Sequence, residues 1–196
     1  MHSIHVRKLS YLPVAALILS GSLLPAAPSA SAVGPPVVQS EISSPSSAEA
    51  SQLLKEVRAI AYDLRRDAAT LESYTFSRLD WRTHADQLSL AKQHINAIGD
   101  RLESLQAIRS TAAPWQQQAI ESIIPVAAQL AARTEAAINH LNENRGHLFA
   151  PEYTDHLSTI AEHSDQLKQS VNVFLELASI QEKLDSLRDK VAAMES

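Results

Sequence analysis

The sequence has no cysteine and very little glycine, four residues among 196. The first absence excludes disulfides, thiolate metal centres and a lipid carried on a cysteine at a cleavage site. The second removes most of the positions where a chain could turn sharply, and aromatic residues are scarce too, at 5%. A sheet protein would need more glycine-bearing turns and more Val, Thr and Tyr, so strands are disfavoured. Absent as well are a Gly-x-Ser-x-Gly elbow, a glycine-rich phosphate loop, a Glu-x-x-His pair on two helices and a Cys-x-x-Cys-His haem site. No catalytic residue and no cofactor is therefore assigned, and the acids fall mostly on outward helix faces, where they are solvated.

What is present is a repeated three-and-four spacing of apolar residues. Leu53, Val57, Ile60, Leu64 and Leu71 form the first stripe. Trp81, His84, Leu88, Ala91, Ile95, Ile98, Leu102 and Leu105 form the second, with His84 its one strongly polar member. The third runs Ile123, Ala127, Leu130, Thr134, Ala137 and Leu141, and the fourth Tyr153, Leu157, Ile160, Ser164, Leu167, Val171 and Phe174. Alternation at period 3.5 puts each set on one side of a helix and excludes strands.

Boundary residues separate the stripes. Ser46 with Glu49 offers a capping box, so the first helix is expected to start there and run to about Ser73. Asp80 is a good N-cap for a second helix ending near Arg109. Pro114 and Pro151 suit first helical positions, and Gly146 suits a left-handed stop between helices three and four. Pro125 falls inside helix three and is expected to pack against Gly99 of helix two. Connections this short make neighbouring helices antiparallel, so the expected fold is all-α, an up-down-up-down four-helix bundle whose C-terminal helix is elongated.

The first 32 residues read as an address. Arg7 and Lys8 precede the apolar run Val14–Leu19 and Leu23–Leu24, and Ala30-Ser31-Ala32 supplies small residues for cleavage. This is the layout of a secretory signal peptide, which places the protein in the periplasm or the medium. Pro13, Gly21 and Pro25 interrupt the run and leave it short of a spanning helix, so no integral membrane span is expected in the mature form. Residues 33–46, rich in Pro and Ser, read as a disordered leader, and residues 47–196 as the bundle domain.

Loss of residues 1–32 removes Arg7 and Lys8 and no acid, leaving 15 Lys and Arg against 22 Asp and Glu, a net charge of −7. Nucleic acid is excluded as a partner by that balance and by the scatter of the basic residues.

Two surfaces could carry a function. Beyond Phe174 the stripe slips by one step and resumes as Leu177, Ile180, Leu184, Leu187, Val191 and Met194, past the reach of the other helices. Self-association or capture of a helical protein partner is expected there, the alternative being a frayed end. The second surface is the bundle end where loops one and three meet, which collects Trp81, His84, His140, His147, Tyr153 and His156 together with Tyr74, Phe76 and Phe149. Imidazoles and aromatic walls make this a candidate small-ligand or metal site. The alternative is a plug of aromatics in which His84 bonds to a neighbour such as Tyr153 and the other histidines lie in water.

Four segments, His84-Ala85-Asp86-Gln87-Leu88, His94 to Gly99, Pro114 to Ile120 and Glu135 to Glu143, resemble an uncharacterised family of small exported bacterial helical-bundle proteins over roughly Ser47 to Leu187. The resemblance implies export and a bundle and carries no activity. It also singles out Trp115 with its glutamines and the turn from Asn139 to Asn144. The expected function is thus that of a non-enzymatic interaction or envelope-associated protein.

Overall fold

In the computed structural model, which describes residues 45–77 and 79–195, four helices follow one another: α1 Pro45–Ser73, α2 Trp81–Ile108, α3 Pro114–Glu143 and α4 Pro151–Met194. Single 3₁₀ turns at Tyr74–Phe76 and Arg109–Thr111 close the ends of α1 and α2. The expected signal peptide, residues 1–32, and most of the expected leader, residues 33–46, lie outside the described residues. No helix among the described residues is long and apolar enough to cross a membrane.

Each helix packs on its two sequence-adjacent neighbours around a square, with α1 closing on α4, while the diagonal pair α1 and α3 hardly meets. This is the antiparallel four-helix bundle that short connections impose. One core runs through it: all eleven of Leu88, Ile95, Ile98, Leu102, Ile123, Leu130, Leu141, Leu157, Ile160, Leu167 and Val171 are buried. In α1 the buried line is Ala50, Leu54, Val57, Ala61, Leu64, Ala68 and Leu71, so Leu54 and Ala61 take the places expected of Leu53 and Ile60, which are only half-buried.

Ion pairs edge all four sides of the square. Glu56 meets Arg101 at 2.6 Å between α1 and α2, and Arg65 meets Asp165 at 3.2 Å between α1 and α4. Arg133 meets Asp155 at 3.7 Å between α3 and α4, and Arg109, just past α2, pairs with Glu121 of α3. Exposed pairs of this kind contribute about 0–1 kcal/mol each, so they specify neighbours more than they stabilise them.

Local chemistry explains the helix ends. The Asp80 carboxylate accepts the backbone N–H of Arg82, an N-cap as expected. Pro114 and Pro151 open α3 and α4. At the start of α3, the Gln116 carbonyl accepts the N–H of Ala113 while its amide donates to the Ser47 carbonyl at 2.7 Å and to Ser51 Oγ at 2.8 Å. The side chain is fully buried, so this one glutamine ties α3 to the first turns of α1. Gln117 donates to the Ala112 carbonyl beside it, and Asn144 donates to the His140 carbonyl at the other end of α3. Gln116, Gln117 and Asn144 thus act through capping and end-packing.

Three boundary expectations are corrected. Ser46 lies inside α1 rather than capping it, because the helix already includes Pro45. Gly146 is not a left-handed stop: no residue among those described has positive φ, and α3 instead ends on Asn144, whose extended φ of −128° breaks the helix while its N–H still bonds the His140 carbonyl. Pro125 is exposed on the outer side of α3, so close packing against Gly99 is not its role.

Length sets α4 apart. It has 44 residues against 29, 28 and 30 in the others, or about 66 Å against 42–45 Å at 1.5 Å per residue. Leu175 is its last buried residue, and 19 more helical residues follow to Met194.

Candidate functional site

At the end where the first and third loops meet, the aromatic and imidazole side chains split into a buried set and an exposed set. Position along each stripe decides which. His84 occupies a core position of α2 and Tyr153 the first core position of α4, and both are buried. Their polar atoms meet: Tyr153 Oη lies 3.0 Å from His84 Nδ1. Around this pair the rings pack closely, Tyr74 edge-on to His84 at 5.2 Å between centroids and His140 stacked on Tyr153 at 5.3 Å. Leu148, from the third loop, is buried with them. Aromatic packing of this sort adds about 0.5–1.5 kcal/mol per pair beyond the area buried.

The remaining candidates stay outside. His147 and Phe149 are exposed, and Phe76 is almost fully so. Trp81 is half-buried with two guanidinium groups over its ring, Arg145 at 4.3 Å and Arg82 at 4.8 Å from the centroid, a cation–π arrangement that holds the third loop against α2. His156 is half-buried one turn beyond Tyr153.

Electrostatics favour neutral rings here. Burial lowers the pKa of His84 from its ordinary 6.5. Burial also lowers that of His156, with Arg133 and His140 acting in the same direction against Asp155 and Glu152. The Tyr153 hydroxyl is pushed well above the usual phenol range by burial, so it stays protonated.

Several buried atoms have no partner: His84 Nε2, His140 Nε2, His156 Nδ1, His163 Nδ1 and Thr134 Oγ1. A neutral imidazole has one N–H and one lone pair, so whichever tautomer His84 adopts, one of these is left unmet. Among the described residues no three His, Asp or Glu converge to hold a metal ion. A depression of about 460 Å³, open to solvent, is lined by Glu72, Thr75, Phe76, Pro151, Thr154, Asp155 and Ser158 and does not include His84.

One buried polar site escaped the stripe reading. Asp67 is buried between α1 and α2, where it pairs with His94 Nε2 at 3.0 Å while Gln87 donates to its carbonyl at 3.1 Å. The first stripe steps by seven from Leu64 to Leu71; Ala68 fills that gap in the buried line, and Asp67 beside it meets α2. His94 on the facing helix supplies the partner that such a residue requires.

On the second surface, Leu177, Ile180, Leu184, Leu187 and Val191 are 50–56% exposed and Met194 more so. These six lie at successive a and d positions of one helix, and none of them belongs to the bundle core.

Fold and site together define a four-helix bundle with an aromatic plug at one end and an apolar helical extension at the other. No family model matches the chain, and neither a curated protein nor a solved structure matches it.

Proposed function

We propose that this is an exported helical-bundle protein that works by binding and not by chemistry, and that its binding surface is the C-terminal extension of α4. The observation that carries the reading is the row from Leu177 to Met194, six large apolar residues in strict coiled-coil spacing and all at least half exposed. Contiguous apolar surface of this kind marks interaction sites in soluble proteins, and an unsupported helix of this length is marginal in water. The signal-like segment from Arg7 to Ala32 supports an address in the periplasm or the medium. The resemblance to small exported bundle proteins agrees with that address.

A second reading is a small polar ligand at the aromatic end, favoured by the unpartnered nitrogens of His84 and His140. Native mass spectrometry of the protein isolated from its host separates the two. The account expects an added polypeptide mass that is absent when the chain is cut after Ala178. A small-molecule mass retained by the truncated form would favour the aromatic end instead, and a bare monomer in both forms would remove the extension from consideration.

A further inference from the structure

The charges that border the apolar seam say what kind of helix fits it. On one side Lys183 and Lys190 precede Leu184 and Val191; on the other, Arg188 follows Leu187. Glu182 and Asp189 lie on the face opposite the seam, and Asp185 pairs with Arg188 along the helix at 3.4 Å. Carboxylates adjoin the seam only at its two ends, Glu176 and Glu195.

Resting on the reading of α4 as a binding surface, we infer that the extension pairs with a helix of a different protein, one that carries carboxylates at the positions flanking its own apolar seam. Flanking charges choose partners in two-helix seams. A second copy of this chain gains nothing from its flanking charges in either direction, which cancel in parallel pairing and repel in antiparallel pairing. Parallel pairing in register sets Lys183 against Arg188 of the other copy, with Lys190 and the terminal Glu195 in compensation. Antiparallel pairing that matches all six apolar residues sets Lys183 against Lys190 twice. Like charges placed in this way act against self-pairing.

A lipid surface is also a poor fit. The apolar face is confined to a and d positions, the narrow seam of a coiled coil, whereas helices that lie in a membrane interface present a wide apolar face. The excess of acids over bases in the whole protein adds repulsion from anionic lipid. A helix with Leu or Ile in its seam and Glu or Asp beside it satisfies both the apolar row and the unpaired ammonium groups of Lys183 and Lys190.

The test uses two synthetic peptides of about three heptads with identical Leu and Ile seams, one flanked by Glu and the other by Lys. The inference predicts that the intact protein binds the Glu-flanked peptide roughly tenfold or more tightly than the Lys-flanked one. Added salt should narrow the gap, and changing Lys183→Glu, Arg188→Glu and Lys190→Glu together should reverse the preference. Equal binding of both peptides would overturn the inference while leaving the extension a binding surface. Dimerisation of the intact protein without peptide, or binding to vesicles of anionic phospholipid in preference to either peptide, would also overturn it. Binding of neither peptide would count against the extension as a helix-binding surface altogether.

Discussion

Tyr153 Oη and His84 Nδ1 are 3.0 Å apart, and both side chains are buried where α4 begins and α2 begins. Each is the partner that makes the other tolerable inside a core, since a buried hydroxyl or imidazole left unbonded costs free energy. Changing Tyr153→Phe keeps the ring and removes the hydroxyl, leaving His84 without a bond on either nitrogen. The expected loss is about 1–3 kcal/mol, measured as a shift of the urea midpoint. An unchanged midpoint would show that the bond contributes nothing net.

Acid should weaken the fold in two stages. His84 and His156 have pKa values held below the ordinary 6.5, both chiefly by burial. The unfolded chain therefore binds more protons than the folded one below about pH 6.5, and stability falls as pH drops through that region toward the folded-state values. A second loss follows at lower pH. There Glu56, held low by its bond from Gln52, Asp165, held low by Lys168, and Asp80, held low by the Arg82 backbone N–H, must take up protons. Thermal melts between pH 8 and pH 5 should decline, and His84→Gln should flatten the upper stage; a melt independent of pH above 5 would contradict this.

Core truncation gives the plainest check on the bundle. Leu102 and Leu167 are buried on α2 and α4, and Leu102→Ala or Leu167→Ala should each cost about 2–5 kcal/mol as cavity-forming changes do. Denaturant midpoints that stayed put for both would mean that these side chains are not in a packed interior.

Most of this core was legible in advance because period and burial are the same fact in a helix: a residue three or four positions from a buried neighbour is on the same side. Every member of the second stripe from His84 to Leu105 is buried for that reason. Reading failed where two adjacent residues could each serve, as with Leu53 and Leu54, because a wide apolar face leaves the central line undefined and only the neighbouring helix chooses it. Gly146 misled because a loop of seven residues between α3 and α4 has room to turn with ordinary backbone angles, so glycine's freedom is not used. At the aromatic end the plug reading anticipated the His84–Tyr153 bond and the exposed His147 but not His140 and His156, which are half-buried. Which side chains are covered depends on how the loops fold: Leu148 of the third loop is buried, while His147 and Phe149, on either side of it, are exposed.

The address is open to direct measurement. If Arg7, Lys8, the leucine-rich run and Ala30-Ser31-Ala32 act as a secretory signal, N-terminal sequencing of the protein from its host should return Val33 from a soluble extracytoplasmic fraction. Recovery of Met1 from a membrane fraction would contradict export with cleavage.

The claim on which the account rests is that α4 extends past the bundle in order to bind another helix. Leu184 and Leu187 lie at the middle of the exposed row and outside the core, so Leu184→Asp with Leu187→Asp should abolish the seam without touching the fold. Light scattering on protein recovered from its host under native conditions measures the outcome. The account predicts that the natural protein carries an additional polypeptide mass and that the double variant has the mass of a single chain while keeping the helical circular dichroism of the folded bundle. Equal masses for both proteins would contradict it.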